Sequence, residues 1–227
     1  MSLFVKEGVV VPTITLETIE QELIRVLGEA ISGTDNDDGE YESIQELWRI
    51  ELGPSTRAGT TASNMWYSRA FNYWESEANC PITDDGVLGG YGKLTPKDVE
   101  GSNAFIDQLS TIRPDLRFDI AADCGAGIGR VAKHLLLPRF AHVDLIEQSP
   151  RLTKAAPAYI GTDSNRVTCV CLGLQDFKPE PNTYDMIWIQ WVIGHLHDLD
   201  FILFFQVRSI MSHYSTPTTS HHSTMWI

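Results

Sequence analysis

The stretch that decides the fold is Arg117–Arg130, which reads RFDIAADCGAGIGR. Its first half is a short apolar run that predicts a β-strand, and RVAKHLLL after it predicts a helix. Between them lie three alternate glycines, Gly125, Gly127 and Gly129. Because glycine has no Cβ atom, a ligand can approach the backbone closely at these positions. The segment therefore predicts a ligand-binding turn between a strand and a helix, with a tight turn that binds nothing as the alternative.

The spacing of the glycines narrows the class of ligand. Dinucleotide sites use GxGxxG, but the residue three places after Gly127 is Arg130, and the third glycine comes after only two. No Gly-Lys-Ser/Thr follows, so the phosphate loop of nucleotide triphosphatases is also missing. The pattern disfavours both of these nucleotide sites.

Two charged residues around the loop favour S-adenosylmethionine (SAM). Arg130 falls in the first turn of the predicted helix, where a cation opposes the helix dipole and needs an anion beside it. The methionine carboxylate of SAM would supply that anion. Glu147 ends the next predicted strand, where related folds place an acid on the ribose hydroxyls. A solvated strand end is the alternative for Glu147.

Strands and helices alternate on both sides of this loop. HVDLIE, RVTCVCLG and YDMIWIQWVIG predict three further strands, and PRLTKAAPAYI and residues 199–211 predict helices. Upstream, MWYSRAFNYWESE predicts a helix and SNAFIDQLSTI another, with Ser102 as its cap. Such alternation predicts an α/β fold with a parallel sheet and helices on both faces.

The chain divides into three predicted regions. Residues 1–64 form a helical and flexible extension, with a helix over 16–31 capped by Thr15 and a second over 44–52. Residues 65–210 form the main domain. Residues 211–227 are rich in Ser, Thr and His without periodicity, and they predict a disordered tail.

Charge and composition exclude several classes of function. The 227 residues hold 17 Lys and Arg against 30 Asp and Glu, a net charge of −13, which repels nucleic-acid backbones. No apolar run approaches the ~20 residues that cross a bilayer, and the N-terminus lacks a signal-peptide pattern. The four cysteines have no CxxC pair, which predicts reduced thiols, no metal site and a cytoplasmic or nuclear location.

Several motifs together resemble the protein N-terminal methyltransferases, which methylate the α-amine of proteins beginning Xaa-Pro-Lys/Arg. They are DCGAGIGR at 123–130, GLQDF at 173–177, YDMIWIQWVIGHL at 184–196 and the upstream loop DGVLGGYG at 85–92. The resemblance covers roughly residues 65–200, and it is specific because LGGYG and IQWVIGHL are not general features of SAM enzymes. It implies a Rossmann-like class I SAM methyltransferase fold, SAM as the cofactor and protein substrates that begin Xaa-Pro-Lys/Arg.

The resemblance also implies roles for individual residues. His195 is the expected catalytic base, because imidazole titrates in the range needed to take a proton from an α-amine; a histidine that caps the strand–helix turn is the alternative. The residues expected to bind SAM are Gly125, Arg130, Glu147 (where the family usually has Asp), Leu174, Gln175 and Gln190. Those expected to line the substrate channel are Trp74, Leu88, Gly89 and Trp191. For the two tryptophans, packing in the core is the alternative role.

Beyond Leu203 the sequence departs from the family pattern, because the further strands of the fold do not follow. The sequence therefore predicts a fold truncated after the fourth strand, whose apolar residues 187–192 form an exposed sheet edge. It also predicts impaired catalysis, since the family's residues that grip the substrate lie in the missing part. The competing hypothesis is an inactive methyltransferase-fold remnant that binds a protein partner.

Overall fold

A computed structural model describes residues 15–27, 32–34, 39–52, 65–180, 182–213 and 225–226. The chain forms two compact units, which divide between Thr56 and Arg57. No helix within the described ranges is long and apolar enough to cross a membrane. The predicted boundary at residue 64 lies outside the described ranges and stays a prediction.

The described residues of the first unit form two helices and a short hairpin. Its elements are α1 (Leu16–Leu27), β1 (Gly33–Thr34), β2 (Glu40–Tyr41) and α2 (Ile44–Leu52). The two strands pair antiparallel. The predicted cap of α1 is confirmed, because the Thr18 backbone N–H donates to Thr15 Oγ1 at 3.2 Å and the Thr15 N–H donates to Thr18 Oγ1 at 2.8 Å.

The second unit is built on a parallel sheet. Its described α-helices are α3 (Met65–Glu75), α4 (Asp84–Val87), α5 (Thr95–Ile112), α6 (Pro150–Ile160) and α7 (Asp198–His213), and a π-helix at Ala132–Leu136 follows the glycine loop. Its strands are β3 (Ile120–Cys124), β4 (His142–Glu147), β5 (Val167–Cys171), β6 (Met186–Ile189) and β7 (Met225–Trp226), in the order β5-β4-β3-β6-β7. The four predicted strands are all present, and the predicted α/β fold with a parallel sheet is confirmed.

Both faces of the sheet are buried, as the apolar strands require. On β4, Val143 and Leu145 belong to one cluster of buried side chains, whereas Ile146 belongs to another. On β6, Met186 joins the first cluster and Ile187 the second. Side chains alternate between the faces of a strand, so β4 and β6 each contribute to both cores.

The order of the strands in the sheet indicates where a ligand crevice lies. From the central strand β3, the chain crosses to β4 on one side and later returns to β6 on the other. In open parallel sheets, ligands bind at the carboxyl ends of the strands where the order reverses. The glycine loop leaves β3 at this reversal point.

Three details of the predicted elements are wrong. Helix α5 begins at Thr95 with Pro96 in its first turn, so Ser102 lies inside the helix and does not cap it. Strand β6 ends at Ile189, because the backbone turns left-handed at Trp191 (φ 60°). Its edge is not fully exposed, since β7 pairs in parallel with Met186 and Ile187.

The fold therefore continues beyond β6, the fourth predicted strand, at which the sequence predicted that it would end. Helix α7 runs past the predicted boundary at residue 210, and its Phe204 is buried in the same cluster as Ile187. Two residues of the predicted tail, Met225 and Trp226, form β7. Residues 214–224 lie outside the described ranges, so the disordered tail remains a prediction there.

Removing a side chain from the core under the sheet should cost much more than the same change at the surface. Leu145→Ala removes a residue that is 1% exposed, and we expect it to lower the free energy of unfolding by about 2–5 kcal/mol. Leu94→Ala, at a residue that is 47% exposed, is the matched control. Urea denaturation measures both, and equal losses would contradict the assignment of Leu145 to the core.

Candidate active site

The glycine loop closes over the end of β4 through backbone hydrogen bonds. The N–H groups of Gly125 and Ala126 both donate to the Ile146 carbonyl, at 2.8 and 3.1 Å. The loop can turn this tightly because Gly125, Gly127 and Gly129 have φ values of 72°, 58° and 84°. Residues with a Cβ rarely adopt this left-handed region. Contact adds a second constraint at Gly125, where a Cβ would lie 2.4 Å from Val192 Cγ2.

A cleft of about 940 Å³, counting its open mouth, lies above this loop. The cleft brings together nearly all the predicted site residues. Those in its lining are Trp74, Leu88, Gly125, Arg130, Glu147, Leu174, Gln175, Gln190, Trp191 and His195. Gly89 is not in the lining, and it is exposed at a φ of 56° just after α4.

Glu147 holds the loop in place from the end of β4. Its Oε2 accepts a hydrogen bond from the Gly127 N–H at 2.9 Å, and its Oε1 accepts one from the Ser149 N–H at 2.8 Å. Burial raises the pKa of Glu147, and the hydrogen bonds from backbone N–H groups oppose that rise. The carboxylate predicted to meet a ribose therefore also fixes the glycine loop.

Asp123, which the sequence reasoning left without a role, is a second buried carboxyl group in the lining of the cleft. Its Oδ2 accepts a hydrogen bond from the Ala132 N–H at 3.0 Å, which ties the end of β3 to the following helical turn. Burial raises its pKa to about 7, although the Ala132 N–H and the charge of Arg130 act in the other direction.

Arg130 already has an anionic partner within the protein. Its Nη1 donates to Asp98 Oδ2 at 2.8 Å, and the arginine side chain is only 5% exposed. Asp98 also accepts from Gln190 Nε2 at 2.7 Å. The sequence reasoning missed Asp98, because it lies 32 residues from Arg130 and no local motif connects them.

His195 lies in a short 3₁₀ turn after β6 and is held by two indoles of α3. Trp74 Nε1–H donates to its ring Nε2 at 2.8 Å, and Trp66 Nε1–H donates to its carbonyl at 2.8 Å. Because Nε2 accepts, the imidazole in this arrangement is neutral and its proton is assigned to Nδ1. Burial lowers the pKa of His195, which also favours the neutral form.

Two tethers fix α3 above the cleft. At its start, Tyr67 Oη donates to Asp200 Oδ2 of α7 at 2.7 Å. At its end, Arg151 donates to the carbonyls of Trp74 and Cys80 at 2.8 and 2.7 Å. A cation at a helix C-terminus also interacts favourably with the helix dipole. Trp74 is therefore carried by a helix that is anchored at both ends.

No group of three His, Cys, Asp or Glu side chains in the described part of the chain has the geometry to hold a metal ion.

The Trp74–His195 hydrogen bond makes a prediction about titration. Trp74→Phe removes the N–H that donates to Nε2, a hydrogen bond that stabilises only the neutral imidazole. We therefore expect the pKa of His195 to rise. Trp66→Phe is the matched control, since it removes an indole that bonds the carbonyl rather than the ring. An NMR titration of the His195 ring protons measures both, and equal pKa values in the two variants would contradict the assigned contact.

Gly125 should tolerate a methyl group less well than another left-handed glycine does. Gly125→Ala meets both an unfavourable φ of 72° and a contact with Val192, whereas Gly161→Ala meets a φ of 82° with nothing within 4 Å. The strain alone costs about 1–2 kcal/mol, so we expect Gly161→Ala to lose that much and Gly125→Ala to lose more. Chemical denaturation measures the free energy of unfolding of both variants, and a smaller loss in Gly125→Ala than in Gly161→Ala would contradict the prediction.

Comparison with known proteins shows the family to which the chain is similar. The family model described as AdoMet-dependent proline di-methyltransferase matches residues 62–213. The chain is 45% identical over 179 residues to alpha N-terminal protein methyltransferase 1 of Dictyostelium discoideum, covering 76% of this chain and 63% of that protein. It is 46% identical over 136 residues to human N-terminal Xaa-Pro-Lys N-methyltransferase 1, covering 59% of this chain and 60% of that protein.

A solved SAM-dependent methyltransferase from Leishmania major is 33% identical, with a TM-score of 0.67, covering 86% of this chain and 73% of that one. The chain spans less than two-thirds of the length of the curated relatives named above. The family resemblance of the sequence is confirmed. With two-thirds of its residues matched by the family model, the chain belongs to the AdoMet-dependent proline di-methyltransferase family.

Proposed function

We propose that this protein transfers a methyl group from SAM to the α-amino group of proteins that begin Xaa-Pro-Lys or Xaa-Pro-Arg. The observation that carries the proposal is a single cleft that holds both the glycine loop and a neutral histidine, His195. Family membership and the names of the relatives support the same activity.

The residues present fit SAM at the glycine-loop end of the cleft. Gly125 and Gly127 line the cleft without a Cβ atom, so a ligand can approach the loop backbone closely. Arg130 offers a cation for the methionine carboxylate, and Glu147, Leu174, Gln175 and Gln190 line the remaining wall. Bound there, SAM would supply a methyl group on a positively charged sulfur.

The other end of the cleft suits the α-amine of a protein. An α-amine has a pKa of about 7.7–8 against about 10.4 for lysine, so a weak base near neutral pH can take its proton. His195 is neutral, and its Nε2 is an acceptor that Trp74 occupies in the free protein. The substrate ammonium takes the place of the Trp74 N–H, Nε2 accepts its proton, and the amine's lone pair becomes free to attack.

The walls of the channel orient the amine. Trp74 and Trp191 present indole rings to the cleft, where they can contact a cationic terminus through their faces. Leu88 adds an apolar contact. Gly89 contributes to the approach to the channel rather than to its wall, and the net charge of −13 favours basic substrates. Alignment of the reacting atoms at ~3–3.5 Å is the main requirement of such a displacement.

Two measurements on the purified chain test this function. We expect S-adenosylhomocysteine (SAH) to bind in calorimetry, and a peptide with an Ala-Pro-Lys terminus to accept methyl groups while its N-acetylated form does not. The rate should rise with pH towards about 8, because only the deprotonated amine attacks. Methylation of the acetylated peptide at the same rate, or no binding of SAH, would refute the proposal.

The role of His195 has its own matched pair of variants. His195→Asn should lower kcat by about 10²–10⁴-fold, as loss of a general base does. His142→Asn changes a histidine at the opposite end of the sheet, where its ring contacts Thr168 Oγ1, and should leave the rate unchanged. Binding of SAH by a chain that methylates no Pro-Lys peptide would instead support the protein-binding remnant.

A further inference from the structure

Asp98 is the point at which three side chains of the cleft meet. Its Oδ2 accepts from Arg130 Nη1 at 2.8 Å. Its Oδ1 accepts from Gln190 Nε2 at 2.7 Å and from Trp191 Nε1 at 3.3 Å. Asp98 lies on α5, whereas Arg130 follows the glycine loop and the other two residues follow β6. One carboxylate therefore joins three separate parts of the fold.

The three donors serve different ends of the proposed site. Arg130 and Gln190 face the cofactor, and Trp191 faces the substrate channel. Trp191 stands in the left-handed region at a φ of 60° and is 76% exposed. A non-glycine residue keeps such a backbone only when its surroundings hold it there. The hydrogen bond to Asp98 is one contact that holds it.

We infer that Asp98 is a positioning residue that couples occupancy of the cofactor site to the placement of Trp191 in the substrate channel. The inference rests on the proposed function. Asp98 holds the Arg130 guanidinium through Nη1 alone, so the guanidinium stays positioned while its other N–H donors can meet a ligand carboxylate. Because the two oxygens of Asp98 belong to one rigid group, a change at Oδ2 is passed to Gln190 and Trp191 at Oδ1.

The chemistry of the contacts shows why asparagine cannot replace this residue. All three partners of Asp98 are donors, and they use both carboxylate oxygens. An amide has one accepting oxygen and one donating nitrogen. In one orientation it turns its NH₂ group towards Arg130, and in the other towards Gln190 and Trp191. Either way one side of the link is lost.

A double-mutant cycle on SAH affinity tests the coupling. We expect Asp98→Asn to weaken SAH binding about fivefold or more, and Trp191→Phe, which removes the N–H donor, to weaken it about threefold. The double variant should bind about as weakly as Asp98→Asn alone, because the second change acts through a link that is already broken. Asp98→Glu keeps both acceptors and should restore affinity to within about threefold of wild type.

Asp107→Asn is the matched control. It removes the same charge from the same helix, but Asp107 pairs with Arg139 at 2.8 Å and is 67% exposed. Its SAH affinity should equal that of the wild type. The inference is overturned if Asp98→Asn binds SAH as tightly as wild type, or if the loss in the double variant is the product of the two single losses. Failure of the wild-type chain to bind SAH would instead count against the proposed function.

Discussion

The whole site depends on one turn, in which the backbone after β3 doubles back over the end of β4. The Ile146 carbonyl receives the N–H groups of Gly125 and Ala126, and the Glu147 carboxylate receives that of Gly127. These bonds form only because the three glycines adopt φ values between 58° and 84°. The turn lies where the strand order reverses, so it forms the floor of the crevice that the parallel sheet leaves open.

The cleft concentrates buried charge, and each charged group there has a partner of its own. Asp123, Arg130 and Glu147 are all less than 8% exposed. Burial of an ionised group is costly unless hydrogen bonds or an opposite charge compensate it. Backbone N–H groups serve the two carboxylates, and Asp98 serves the arginine. Titratable groups with perturbed pKa values concentrate at functional sites, and Asp123, Glu147 and His195 follow that rule.

Helix α3 gives the cleft its roof and gives His195 its protonation state. Its indoles bind the ring and the carbonyl of His195, while Tyr67 and Arg151 tie its two ends to α7 and α6. Desolvation and the Trp74 donor both favour neutral imidazole. The aromatic residues of this helix are therefore not only core packing, which was the alternative for Trp74 in the sequence.

Features encoded in local spacing could be predicted from the sequence alone. The glycine loop, the alternating strands β3 to β6 and the cap at Thr15 depend on steric rules that act within a few residues. The family motifs also placed His195, Arg130 and Glu147 in one site. The start of α5 was missed because Thr95 and Pro96 begin the helix before any apolar periodicity appears.

Only the tertiary structure decided which distant side chains meet. Trp74 and His195 are 121 residues apart, and Asp98 and Gln190 are 92 apart. The early end of β6 and the pairing of β7 likewise depend on long-range contacts. Local propensity fixes backbone conformation, but a hydrogen bond between remote residues exists only once the sheet and its helices have packed, so no pattern within one segment could show it.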